Sequence, residues 1–174
     1  MKIDRGLSTN LNAVPGSVQK LEAAGYDGAT SVETSHDPFF PLLLAAQNSE
    51  RIELMTSIAV AFSRTPMLLA NIAHDLNSFS KGRFVMGLGS QIQPHITKRF
   101  SMPWSSPAKR MRELILAMRA IWACWYEGEP LDFRGDFYTH SLMTPMFTPQ
   151  DTEYGAPKVL LAGVGPLMTE VAGE

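Results

Sequence analysis

Few side chains in this sequence could carry chemistry, and they fall in short groups. Glu33 and His36 stand three residues apart, a carboxyl and an imidazole able to hold or pass a proton. Gly87, Gly89, Ser90 and Gln91 make one turn of small residues, and Gly163, Val164 and Gly165 make another. Either turn could bring backbone N–H groups up to an anion. Each group also has a plainer reading: a loop histidine bonded to backbone, a carboxylate anchoring its loop, glycines that only turn the chain. His95, Lys98 and Arg99 follow the first turn closely enough to add positive charge there, or form a solvated cluster.

Other chemistries find no support. The histidines, His36, His74, His95 and His140, are far apart with no HxH or HxxxH spacing, so no metal is expected. Cys124, the only cysteine, cannot form an internal disulfide and reads as a buried, inert thiol within Trp122-Ala123-Cys124-Trp125. No GxSxG elbow supports serine hydrolysis. With 15 Lys and Arg against 17 Asp and Glu, a net charge of −2 and no basic stripe, nucleic acid is not an expected partner. The cysteine usage, and the lack of an apolar run behind Lys2, point to a cytoplasmic setting without membrane insertion.

The elements that must position these groups alternate between strand-like and helical runs, with Pro at helix starts and Gly just past helix ends. A strand over 2–7 precedes a helix over 15–24, whose Val14, Val18 and Leu21 share a face and whose Gly25 suits the left-handed position beyond the end. After a second strand over 28–33, Asp37 and Pro38 open a helix apolar enough to be buried on most of its surface. The third strand, 52–61, is almost uncharged after Glu53 and is expected to be covered on both faces. Thr65 and Pro66 open a helix with Leu68, Leu69, Ile72, Leu76 and Phe79 at helical spacing, followed by a fourth strand over 83–88. Ser106 and Pro107 open the longest helix. Its stripe of Met111, Leu114, Ile115, Met118, Ile121, Trp122 and Trp125 lies opposite Arg112, Glu113 and Arg119, with Gly128 beyond the end. Residues 128–156 form a long connection, functional or hiding a small hairpin, before a fifth strand over 157–162 and the start of a fifth helix.

Five βα units fit an open doubly wound sheet or part of a barrel. The open sheet calls for a glycine-rich first turn, but Ser8-Thr9-Asn10-Leu11-Asn12 stands there, and Gly87-Leu88-Gly89 lacks the third glycine, Ile92 taking its place. A barrel places its chemistry at the C-terminal ends of the strands, where Glu33, His36, residues 57–64, 87–95 and 163–165 fall. A full barrel takes about 250 residues. The expectation is therefore an α/β fold, a (β/α)8 TIM barrel represented by about five βα units, with 1–174 as the N-terminal portion of one barrel domain.

Four segments then become recognisable together: Glu33-Thr34-Ser35-His36-Asp37-Pro38-Phe39, Ile58-Ala59-Val60-Ala61-Phe62-Ser63-Arg64-Thr65-Pro66, Gly82-Arg83-Phe84-Val85-Met86-Gly87-Leu88-Gly89-Ser90-Gln91 and Leu161-Ala162-Gly163-Val164-Gly165-Pro166. They resemble the bacterial luciferase-like flavin monooxygenases, and more closely the branch that uses the deazaflavin coenzyme F420. The resemblance runs along essentially the whole chain. It implies a barrel of more than 300 residues that binds coenzyme F420, or FMN in sister branches, and moves a hydride between F420 and an organic substrate. On that resemblance His36 matches the histidine over the reactive ring, and Glu33, the last residue of the second strand, could place a carboxylate at the barrel mouth. Ser57, Ile58, Ala59 and Val60 match a segment that often carries a non-prolyl cis peptide behind the ring. Gly87, Gly89, Ser90 and Gln91, with Gly163, Val164 and Gly165, match the turns at the phosphate tail. Two rival readings stay open: an FMN-dependent monooxygenase using molecular oxygen, and a non-catalytic partial barrel whose open sheet edge needs self-association or a partner to cover it. The expected partner is a small organic substrate, with a homo-oligomer left open.

Overall fold

A computed structural model describes residues 1–174. In chain order the elements are β1 (Asp4–Gly6), α1 (Val14–Ala23), β2 (Gly28–Ser31), α2 (Phe39–Gln47), β3 (Glu53–Thr56), β4 (Ala59–Val60), α3 (Pro66–Phe79), β5 (Phe84–Gly89), α4 (Pro107–Glu127), β6 (Phe133–Arg134), β7 (Thr139–His140), β8 (Lys158–Leu161) and α5 (Pro166–Gly173). They divide into two units: residues 1–59, 72–88 and 157–161 form the first, and residues 60–71, 89–156 and 162–174 the second. No helix is long and apolar enough to cross a membrane.

The first unit contains the parallel sheet. β1 pairs β2, β2 pairs β3, β3 pairs β5 and β5 pairs β8, all parallel, with Asp4 opposite Gly28, Gly28 opposite Glu53, Leu54 opposite Phe84 and Val85 opposite Lys158. The two-residue β4 pairs β5 as well, so the longer strands β1, β2, β3, β5 and β8 follow one another across the sheet in chain order. That is the winding of a barrel rather than of a doubly wound sheet, whose order turns back at a switch point. Val14 and Val18 of α1, Leu42 and Ala45 of α2, and Leu54, Phe84 and Met86 of the strands are at most 1% exposed.

Two expectations need correction here. The third strand is not continuous over 52–61: β3 ends at Thr56, and β4 is a separate two-residue strand followed by a helical turn over Ala61–Ser63. The Thr56 hydroxyl donates to the Gly87 carbonyl (2.6 Å) and accepts from the Gly87 N–H (2.9 Å), so a side chain replaces the backbone ladder there. β3 also alternates, with Leu54 and Thr56 buried and Glu53 and Met55 half-buried; β5 and the short β4 are buried along their whole length. The second correction concerns α2. Only one face packs, and Phe40 and Leu43 stand 60% and 44% exposed.

Two polar ties close this unit. Arg83 directs its guanidinium at five acceptors: Nε donates to the Ser80 carbonyl, Nη1 to Ser49 Oγ and the Ile52 carbonyl, and Nη2 to the Ala46 and Ser49 carbonyls, at 2.8–3.2 Å. Several of these are carbonyls at or just past helix C-terminal ends, which have no acceptor role left inside their own helices. Glu22 at the end of α1 accepts the backbone N–H groups of Glu50, Arg51 and Ile52 at 2.7–3.1 Å. Partial burial pushes its carboxyl up, but these donors and the Arg51 charge outweigh that and hold it below its ordinary value of 4.5.

The second unit is built on α4. Its predicted stripe is buried from Met111 to Trp125, and the Trp122 indole donates to the Ala70 carbonyl at 3.3 Å. The long connection does contain a hairpin, β6 against β7, antiparallel with Phe133 opposite His140. Glu113 on α4 holds it: Oε2 accepts from Asp136 N (2.9 Å), and Oε1 from Phe137 N and Tyr138 N (both 2.7 Å).

Replacing Arg83 by Met strands five acceptors and should lower unfolding stability in urea by about 3–5 kcal/mol. A carboxyl held below its unfolded value stabilises the fold fully above that value and loses the contribution as pH falls through the folded one. Glu22→Gln should therefore flatten the loss of stability below about pH 4.5 that the wild-type chain shows in acid titration of urea unfolding.

Candidate functional site

A cavity of about 680 Å³ opens in the second unit, formed by three segments. Residues 90–93 follow β5, Trp104 and residues 106–109 lead into α4, and residues 164–168 lead into α5. Ile92, Trp104, Pro107, Val164, Leu167 and Met168 make most of its wall apolar, and Lys109 is the only charged residue on it.

The backbone around the cavity is unusual. Gln91 (φ 60°) and Ser106 (φ 39°) adopt left-handed conformations that side chains disfavour, and Gly165 (φ 85°) adopts one that glycine permits. The Gln91 side chain accepts from Ile92 N at 3.1 Å, and Ser90 Oγ donates to the Gln91 carbonyl at 3.1 Å, so the turn is held by its own polar groups. Strained non-glycine residues cost about 1–3 kcal/mol each and persist where the surrounding structure enforces them, often at ligand sites; Lys81 and Ser101, also left-handed, lie off this cavity.

Both helices begin with Pro, neither has an acidic residue in its first turn, and neither receives a side-chain cap. Ser106, which the sequence places as the opening residue of α4, makes no capping hydrogen bond. The first intrahelical bonds run from Arg110 N to Ser106 O and from Thr169 N to Gly165 O. The N–H groups of residues 108–109 and 167–168 thus lack carbonyl partners four residues back, and the positive ends of two helix dipoles meet one cavity. The chemistry this supports is binding of a ligand with an apolar body and an anionic group.

The residues singled out from sequence divide between the units. Ser90, Gln91, Val164 and Gly165 line the cavity. Gly163 precedes them with its Cα against Thr169, where a Cβ would lie 3.2 Å from Thr169 Cα. Gly89 is the buried end of β5. In the first unit, Gly87 has no room for a side chain: a Cβ would lie 1.7 Å from the Thr56 carbonyl oxygen. Its lack of a side chain is thus already required by strand packing. Glu33 is half-buried after β2, with its N–H donating to the Ile58 carbonyl at 3.3 Å, and His36 is exposed on the loop that follows. The Ser57–Ile58 peptide is cis, and Ala59 and Val60 beyond it are fully buried. His95, Lys98 and Arg99 are exposed on the turn after the cavity segment and do not line it. No three His, Cys, Asp or Glu side chains come together as a metal-binding group.

Sequence reasoning missed Trp104, Ile92, Gln93, residues 106–109 and residues 166–168. The available signal was the pair of prolines, Pro107 and Pro166, each behind a small residue at a helix start. Lys109 reads in the sequence as one scattered charge among several, because the cavity's other segments, 90–93 and 164–168, are 16 or more residues away.

Parallel strands added in chain order, each leading into a helix, with a cavity at the turns beyond two of them, define a protein of the α/β-barrel class. The chain belongs to the luciferase-like monooxygenase family, whose profile matches residues 3–174. It is 53% identical over all 174 residues to the uncharacterized protein Rv1360 of Mycobacterium tuberculosis, of which it covers 51%. It is 29% identical over 148 residues to the F420-dependent glucose-6-phosphate dehydrogenase of Intrasporangium calvum, an alignment covering 80% of this chain and 42% of that protein. Among solved structures it superposes on the oxygenating constituent of 3,6-diketocamphane monooxygenase from Pseudomonas putida, in complex with FMN, with a TM-score of 0.75 and 16% identity over 92% of this chain and 51% of the other. The chain spans about half the length of the proteins it matches.

Gly87→Ala tests whether this glycine serves packing. It should cost about 3 kcal/mol or more, read as a lowered urea midpoint, because the atom it would displace is backbone; unchanged stability would assign the glycine to ligand approach alone.

Proposed function

We propose that the protein is an oxidoreductase dependent on coenzyme F420, acting on a small organic substrate, and that the cavity of the second unit holds part of that cofactor. One observation carries the reading: the cavity combines an apolar wall bearing an indole with two uncapped helix starts and a lysine, and has no carboxylate on it. A tricyclic ring joined to a phosphate ester has that same division of character. The N–H groups of residues 108–109 and 167–168, with Lys109 and the Ser90–Gln91 turn, would hold the anionic part, while Trp104, Ile92 and Leu167 would exclude water from the apolar part.

When bound, the deazaflavin supplies hydride transfer, and the protein supplies position and charge. His36 is the proton-handling group in this reading. Its imidazole is exposed on the loop after β2, which suits it to polarise or protonate a carbonyl-type substrate. Glu33, half-buried three residues before it, is the second candidate for handling a proton at the substrate. The F420-dependent relative supports F420 over FMN.

Thermal shift and ring fluorescence of the purified chain with coenzyme F420 and, separately, FMN test the cofactor. A ligand that binds only the folded state stabilises it by about 2.7 kcal/mol at a hundred times its dissociation constant. Stabilisation by F420 is expected, and a folded sample indifferent to both ligands overturns the reading. In turnover assays His36→Ala should reduce rate far more than cofactor affinity; an equal loss of both rejects the proton role.

A further inference from the structure

Trp104 is the one aromatic side chain on the cavity wall, and a path of side-chain contacts leads to it. Phe62, 1% exposed, meets the indole edge-to-face with centroids 5.8 Å apart at 75°. Phe62 in turn lies under the Arg110 guanidinium, 4.9 Å from its ring centroid. Arg110 Nη1 donates to the carbonyl of Pro103, the residue before Trp104, at 2.6 Å, and Nε donates to Tyr138 Oη at 3.0 Å. Tyr138 is fixed by its own N–H, one of the three that Glu113 accepts. The path runs from Glu113 through the hairpin to Arg110, and from Arg110 through Phe62 and Pro103 to Trp104.

Arg110 is an expensive way to fill this space. It is 8% exposed, and its partners are a carbonyl, a phenol and two ring faces, none of them a carboxylate. A buried cation with neutral partners alone gives up the attraction of a paired carboxylate. It also lies at the start of α4, the end of a helix that disfavours positive charge. An apolar side chain would pack there at lower cost. What an apolar side chain could not do is grip the Pro103 carbonyl and the Phe62 and Tyr138 rings at once.

We propose that Trp104 is a ligand-contacting residue that selects for a planar aromatic ring in this cavity, and that Arg110 is the positioning residue that sets the indole. The proposal rests on the reading that the cavity takes a flavin-type cofactor, and goes beyond it by dividing the cavity into a ring end at Trp104 and an anion end at Lys109.

Two pairs of probes separate the ends: FMN with riboflavin, and coenzyme F420 with its phosphate-free deazaflavin core, each titrated by ring fluorescence against the 174-residue chain. Trp104→Leu should weaken both members of the pair that binds by about tenfold, the scale of an aromatic stacking contact. Lys109→Ala should weaken only the phosphorylated member. A Trp104→Leu loss under twofold for the phosphate-free probe overturns the ring contact. Fluorine NMR of chain labelled with 5-fluorotryptophan reads positioning directly, since the sequence has three tryptophans and Trp104→Leu identifies one resonance. Arg110→Met should shift or broaden the Trp104 signal and leave those of Trp122 and Trp125, three to four turns further along α4, in place. Tyr138→Phe removes one oxygen and should move the same signal, which covers the case of an unfolded Arg110→Met. A Trp104 signal indifferent to both variants overturns the positioning role. If the wild-type chain binds none of the four probes while its Trp104 signal still answers to Arg110→Met, the cofactor reading and the ring contact fall and the positioning role stands.

Discussion

The parallel sheet of the first unit depends on the fork of Arg83. Parallel strands are joined by helices, and every such helix ends in carbonyls that its own ladder cannot satisfy. Arg83 stands at the entry to β5, where the chain after α2 and the end of α3 both come within reach, and it takes up carbonyls from Ala46, Ser49, Ile52 and Ser80 with one planar group. A lysine has three donors on a flexible stem and could not meet this set in one conformation. With those ends fixed, β3 and β5 meet in the register that puts Leu54 opposite Phe84, and Thr56 arrives beside Gly87. Glu22 does the matching work for the loop into β3.

The glycines at strand ends show how one residue type serves two constraints. Gly87 permits an approach between strands that any Cβ would block, whereas Gly165 permits a left-handed backbone at the start of α5 and meets nothing within 4 Å of its missing side chain. The first is fixed by a neighbour 31 residues away, the second by its own torsion. Both stand in a Gly-x-Gly pattern, and the pattern alone does not distinguish them.

The second unit carries several locally unfavourable features. Gln91 and Ser106 are held in disfavoured torsions, Lys109 and Arg110 oppose the α4 dipole, and the starts of α4 and α5 go without side-chain caps. Gln91, Ser106, Lys109 and the two helix starts line a single cavity. A folded chain retains local costs of this kind where the rest of its packing outweighs them. Here the long buried stripe of α4 and the carboxylate of Glu113 provide that packing.

Local signals determined a good deal. The prolines opening α1, α3, α4 and α5, the left-handed Gly25 and Gly128, the buried stripe of α4 and the alternation of strands with helices all follow from torsional preference and periodicity, which act within a few residues. The barrel reading followed from what the first turn lacks and where the unusual residues fall, and the winding of the sheet agrees with it. Tertiary structure alone decided the rest. It broke the run over 52–61 where a threonine hydroxyl bonds a glycine of another strand, and it left Phe40 and Leu43 exposed because α2 packs on one face only. It also brought Trp104, Lys109 and the turn before α5 to one cavity and buried Arg110 among rings from residues 62 and 138. Those outcomes depend on partners dozens of residues apart, and the side chains that meet there carry no periodicity by which a sequence could announce the meeting.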